Sequence, residues 1–170
     1  LGPRGLMPNK KTGTVTTGQM RLVDVVAADG QDAETLLRLA GALEDASEHP
    51  IAKAIADAAR EQVGALARVE DFSSAQGKGV QGVVANHAVV AGRASWLADE
   101  WAQPLPGELS EAAAAAQSQG RTVIAVGWDG IARGVLVVAD TVKPTSAQAV
   151  AELRELGLTP ILLTGDNRAA

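Results

Sequence analysis

Apolar positions recur along this chain with two alternating periods, and the order of those periods predicts a mixed α+β protein. Leu36, Leu37, Ala40 and Leu43 share one helical face, and Asp32 is placed to cap the helix they define. Ile51, Ala54, Ile55 and Ala58 repeat the spacing behind Pro50. The missing N–H of a proline suits the first turn of a helix. A short helix carries Trp96 and Leu97, an alanine-rich one covers 111–119 and stops at Gly120, and another runs from Pro144 to Gly157. Between these helices the period falls to two. Strands are expected over 21–28, over 67–72, over 80–85 and 88–91 around a turn at Asn86-His87, and over 122–128 and 131–138 around Asp129-Gly130.

The last stretch has a different character. Helix, Gly157, a short apolar strand over 159–163 and the polar loop Thr164-Gly165-Asp166-Asn167 read as one half of a parallel α/β unit. The hairpin-rich middle therefore reads as an insertion over 18–134, between fragments of a second domain at 10–17 and 135–170. Residues 1–9 show no period and read as a frayed lead-in outside the fold. A formal net charge of -5 and a pI near 5.0 argue against nucleic acid or an anionic membrane as partner. No apolar run is long enough for a membrane span. The absence of cysteine excludes disulfides and thiolate metal sites, and two histidines far apart argue against a bound metal.

Two stretches carry candidate chemistry. In Leu43-Glu44-Asp45-Ala46-Ser47-Glu48-His49-Pro50-Ile51, His49 stands at a helix start, where the helix dipole favours the neutral ring. A neutral imidazole stacks on a purine and still offers a donor and an acceptor, while Glu44 can accept from an exocyclic amine. The competing reading is a capped helix start with Ser47 as N-cap. Further on, Gly77-Lys78-Gly79-Val80-Gln81-Gly82 fits Gly-x-Gly-x-x-Gly, but strands rather than a helix follow it, so the dinucleotide reading fails. A P-loop fails too, because Gly79 follows Lys78 where Ser or Thr is required. What survives is a tight turn of bare backbone that an anion can approach, or a plain glycine hairpin. His87 is expected as a solvated turn residue rather than a ligand.

The run from Lys11 to Gly18, Ser47-Glu48-His49-Pro50, Gly77-Lys78-Gly79 and Thr164-Gly165-Asp166-Asn167, in this order, resembles the cytoplasmic ATP-binding region of heavy-metal P-type ATPases, the copper pumps above all. The resemblance implies an antiparallel sheet flanked by helical hairpins, with edge fragments of a parallel, haloacid-dehalogenase-like domain. It makes 18–134 the nucleotide-binding domain and 10–17 and 135–170 pieces of the phosphorylation domain. Glu44 and His49 would contact adenine, and Gly77 and Gly79 would admit the phosphates. Arg93 stands where the family often has asparagine and would pair with phosphate. Lys11, Thr12 and Thr14 match the loop after the phosphorylated aspartate, while Thr164, Asp166 and Asn167 match a second phosphorylation-domain loop. The aspartate's own position holds Lys10, and an ammonium cannot be the carboxylate nucleophile. The resemblance thus implies a monomeric fragment that binds ATP or ADP without hydrolysing it. Without a P-loop lysine or a protein-held metal the affinity is expected to be modest, roughly 0.1 to 1 mM or about -5.5 to -4 kcal/mol. The parent would be a membrane pump that uses ATP with Mg2+ and docks this cytoplasmic piece against its phosphorylation and actuator domains. A haloacid-dehalogenase-type phosphatase and a non-catalytic interaction domain are the alternatives.

Overall fold

A computed structural model describes residues 16–142 and 144–159. They fall into two units, one of residues 20–139 and a smaller one of 16–19 with 140–159. Among the described residues the elements run β1 (Thr16–Ala27), α1 (Ala33–Glu44), α2 (Pro50–Val63), β2 (Val69–Ala75), β3 (Gly79–Val84), β4 (His87–Gly92), α3 (Ala94–Trp101), α4 (Gly107–Ser118), β5 (Thr122–Trp128), β6 (Ile131–Val142) and α5 (Pro144–Glu155).

In the larger unit the strands form one sheet in the order β1-β6-β5-β4-β3-β2. The pairs β2–β3, β3–β4, β4–β5 and β5–β6 are all antiparallel. Alternation along the strands decides which helices each face receives. Val80, Val84, Val89, Ala91, Val126, Leu136 and Val138 pack with Leu36, Leu43, Ile55 and Ala59 of the α1–α2 hairpin. Val90, Ala125 and Val135, on the opposite face, pack with Trp96, Leu97 and Leu109 of α3 and α4. Helical hairpins thus flank the sheet on both sides, as the sequence motifs imply. The α1–α2 contact is close because α1 carries Gly41, where a Cβ would lie 2.2 Å from that of Ala59.

Several boundaries differ from the sequence reading. Ala85 and Asn86 take the two positive-φ positions of the β3–β4 hairpin, at +48° and +64°. His87 therefore begins β4, paired with Val84, and is not a turn residue. Its Nδ1 lies 2.6 Å from Asp129 Oδ2, so it is not simply solvated either. β1 begins at Thr16, taking part of the hydroxyl-rich stretch into a strand, and β6 continues to Val142. α4 begins at Gly107, with Glu108 in its first turn accepting from the backbone N–H of Asp29 at 2.9 Å.

In the smaller unit, the Thr17 and Thr141 hydroxyls are hydrogen-bonded, and that of Thr141 donates to the carbonyl of Gln19 at 3.2 Å. α5 follows Pro144 and is the helix read before Gly157. The strand expected over 159–163, and the motif residues Lys10, Lys11, Thr12, Thr14, Thr164, Asp166 and Asn167, lie outside the described residues except for Thr159.

Candidate functional site

Asp32 caps α1 as its sequence position demands, its Oδ2 accepting from Thr35 N at 2.7 Å. Twelve residues later the helix closes on Glu44. Only 6% of that residue is exposed, and no hydrogen bond reaches its carboxyl from the described residues. Burial pushes the carboxyl up to about pH 7 from an ordinary 4.5.

The chain then reverses. Ser47 N donates to the Glu44 carbonyl at 2.8 Å, and the Ser47 hydroxyl accepts from His49 N at 3.3 Å. Ser47 therefore shapes the turn and does not cap α2. His49 does so itself, its Nδ1 accepting from Ile51 N at 3.2 Å, with Pro50 as the first helical residue. An accepting Nδ1 carries no proton, so the neutral ring presents Nε2–H outward. The ring is exposed and has one donor to offer, rather than the donor and acceptor read from the sequence.

Around the glycine turn, Lys78 N donates to Ala75 O at 3.0 Å. Gly77, the third residue of that turn, has a φ of +70°, which a type II turn requires there. Among the described residues the N–H groups of Gln76 and Gly77 donate to no backbone carbonyl in this turn. Gly79 has a different reason to be glycine. It faces Gly92 across β3 and β4, and a Cβ on it would lie 2.3 Å from Ala91 O and 2.5 Å from Trp96 Cζ3. Arg93 N donates to Lys78 O at 2.8 Å, which fixes the start of α3 beside the turn.

The two cations here are not equivalent. Lys78 Nζ is 2.5 Å from Glu100 Oε1, and the other oxygen of Glu100 accepts from Trp96 Nε1 at 3.0 Å. The guanidinium of Arg93 is exposed and has no acidic partner among the described residues.

Glu44 and His49 thus bracket the α1–α2 connection, while Gly77, Gly79 and Arg93 gather at one end of β3 and β4. One apolar cluster borders both groups: Leu43 precedes Glu44, Ile51 follows Pro50, and Val80 follows Gly79. Val80 and Gly82, read in the sequence only as part of the glycine stretch, lie on the face of α1. A Cβ on Gly82 would lie 3.2 Å from Leu43 Cδ1. One hollow lies along α2 among Asp45, Ser47, Glu48, Lys53, Ala56, Asp57 and Arg60, and another lies by Trp96 and Trp101. Neither is lined by Glu44, His49, Gly77 or Arg93. No cluster of three or more His, Cys, Asp or Glu that could hold a metal occurs among the described residues.

A sheet between two helical hairpins, in a chain whose smaller unit holds the helix after Pro144, defines a class. The chain belongs to the haloacid dehalogenase-like hydrolase family, whose model matches residues 11–170. Within it, the resemblance to heavy-metal P-type ATPases holds over most of the chain. A probable copper-exporting P-type ATPase V of Mycobacterium tuberculosis is 44% identical over 157 residues, which are 92% of this chain and 20% of that protein. A zinc-transporting PIB-type ATPase solved in its E2.Pi state is 30% identical with a TM-score of 0.80, covering 94% of this chain and 25% of that one. The catalytic domain of the CPx-ATPase CopB-B, studied for conformational changes upon nucleotide binding, is 26% identical with a TM-score of 0.65. It covers 93% of this chain and 52% of that one. The chain spans about a fifth of the length of the curated relatives it matches. Among the described residues no helix is long and apolar enough to cross a membrane.

Proposed function

We propose that this chain is the ATP-binding region of a heavy-metal P-type ATPase, most nearly a copper pump, and that it presents ATP for aspartyl phosphorylation on the cytoplasmic side of the membrane. Residues 20–139 act as the nucleotide-binding domain, and the flanking residues belong to the phosphorylation domain. Glu44 and His49 hold the adenine, one accepting and one donating. Gly77 and Gly79 leave the turn's backbone open to phosphate, and Arg93 supplies the positive charge. Magnesium arrives with ATP rather than on a protein site. The rest of the pump, through its phosphorylation and actuator domains, is the partner.

The observation that carries this reading is Glu44. A mostly buried acid whose carboxyl has no partner among the described residues, yet whose oxygens are not among the fully enclosed unpartnered atoms, stands five residues before an exposed ring and can still receive a ligand's donor. The likeness to a catalytic domain that changes conformation upon nucleotide binding supports it independently. Lys10 stands where the family resemblance places the nucleophilic aspartate, so this chain binds nucleotide without turning it over.

The test is a titration with ATP followed by backbone amide shifts, run beside a phosphate-release assay with Mg2+. The expected outcome is shifts at Glu44, His49, Gly77 and Arg93, with no phosphate released above background. Shifts confined to other surfaces, or steady phosphate release, would overturn the reading.

A further inference from the structure

Lys78 stands in the glycine turn with both of its backbone groups engaged. Its N–H donates to Ala75 O at 3.0 Å and its carbonyl accepts from Arg93 N at 2.8 Å, so only the side chain is free to move. In the empty chain that side chain reaches α3, where Nζ lies 2.5 Å from Glu100 Oε1. The acid is itself fixed. Its Oε2 accepts from Trp96 Nε1 at 3.0 Å, and the Trp96 ring meets Trp101 edge-on with centroids 6.0 Å apart. The same Trp96 ring packs against the positions of Gly79 and Gly92. One indole therefore backs the bare turn and also anchors the carboxylate that occupies the turn's lysine. Hydrogen-bonded by Lys78 first and by the indole second, that carboxyl lies below its ordinary 4.5 and is ionised at neutral pH.

We propose that Glu100 masks Lys78, and that Lys78 is a reserve phosphate ligand which ATP frees by exchange, the ammonium leaving the carboxylate for the polyphosphate. This rests on the nucleotide reading above and adds to it the regulation of its phosphate end. Arg93, which has no acidic partner among the described residues, meets the ligand without giving one up. Lys78 must first leave Glu100. Binding through Lys78 is weakened by the fraction of time the ammonium is held. Both members of the pair are half-exposed, and a pair of that kind holds by no more than about five-fold, so a polyphosphate can break it. The carboxylate does not follow the lysine, because the indole N–H keeps it on α3. Adenosine, having no phosphate, leaves the pair intact.

The experiment is an ATP titration of the whole chain, with adenosine as the control, read by backbone amide shifts. In the native chain the carbon-13 signals of Lys78 Cε and of the Glu100 carboxyl are followed as well. Saturating ATP is expected to move both signals, and adenosine to move neither. Glu100→Gln keeps an acceptor for the indole but loses the charge that holds the lysine. ATP should then bind about two- to five-fold more tightly, with adenosine unchanged. The same substitution made on top of Lys78→Ala should bring no gain. A Glu100 carboxyl signal that ATP leaves in place, or no gain with Glu100→Gln, would overturn the masking. So would an equal gain in the chain carrying Lys78→Ala, because the acid would then act by repelling phosphate and not by holding the lysine. If ATP shifts neither the glycine turn nor His49, it is the nucleotide reading itself that fails.

Discussion

Gly79 lies opposite Gly92 in the β3–β4 ladder, with the Trp96 ring over both positions. A Cβ on Gly92 would lie 2.4 Å from Lys78 O and 2.9 Å from Trp96 Cε3, while one on Gly79 would strike Ala91 O first. Gly79→Ala is therefore expected to destabilise the protein by about 1–3 kcal/mol through overpacking. Urea unfolding measures it. Trp96→Leu in the same chain would not restore the loss, because the nearest obstacle is backbone. A neutral Gly79→Ala would show that β3 and β4 separate at no cost.

His49 carries two separable roles. His49→Ala removes the α2 cap and is expected to cost about 0.5–2 kcal/mol of stability. It should weaken ATP and adenosine alike, because the lost contact is to the base. Asparagine also caps well, so His49→Asn should keep the stability and still lose the binding. Unfolding curves and amide-shift titrations on both variants separate the roles. Full affinity in His49→Asn would remove the ring from the site.

The cations by the glycine turn should respond differently. Lys78 is held by Glu100 and Arg93 has no acidic partner among the described residues, so Arg93→Ala should weaken ATP while leaving adenosine unchanged. Lys78→Ala should alter either ligand much less. The comparison is best made at low and high salt, since the contribution of an exposed charge shrinks with ionic strength. An Arg93→Ala variant that lost adenosine binding would place the guanidinium at the base.

Stability should depend on pH through Glu44. Its folded value, about 7, lies above the ordinary 4.5, so the folded state binds the proton more tightly. The stabilisation this gives is complete below about pH 4.5 and is lost as the pH rises to about 7, roughly 3 kcal/mol at most. Denaturant titrations between pH 5 and pH 8 should show stability falling in the native chain and a shallower fall in Glu44→Gln. Parallel profiles would mean that the carboxyl is already ionised at pH 5.

Much of this fold was legible because local signals agreed. Asp32 before Leu36 and Leu37, Pro50 before Ile51 and Ile55, and Asp129-Gly130 between two apolar runs each combine a period with matching cap or turn chemistry. The shift at Asn86-His87 has a physical origin: Ala85, not His87, shares the left-handed turn with Asn86, and an alanine carries no such signal. Of the candidate site, the residue types and their order along the chain were readable. The roles were less so. Nothing in Ser47-Glu48-His49-Pro50 says that the imidazole rather than the serine caps α2, since serine is the commoner cap. Nor could spacing reveal that Glu100, twenty-two residues beyond Lys78, neutralises it. Gly79 fitted a phosphate pattern, but its tightest constraint comes from Ala91 and Trp96.

The glycine turn, tied through Lys78 to Ala75 and Arg93 and backed by an indole, has little freedom left to surrender. If phosphate binds there as proposed, it meets a turn whose backbone these contacts already order, so less entropy is lost on capture than at a free loop. Affinity gained by stiffening this segment further would be small, and mutations that loosen Trp96 would slow or weaken capture without touching the ligand.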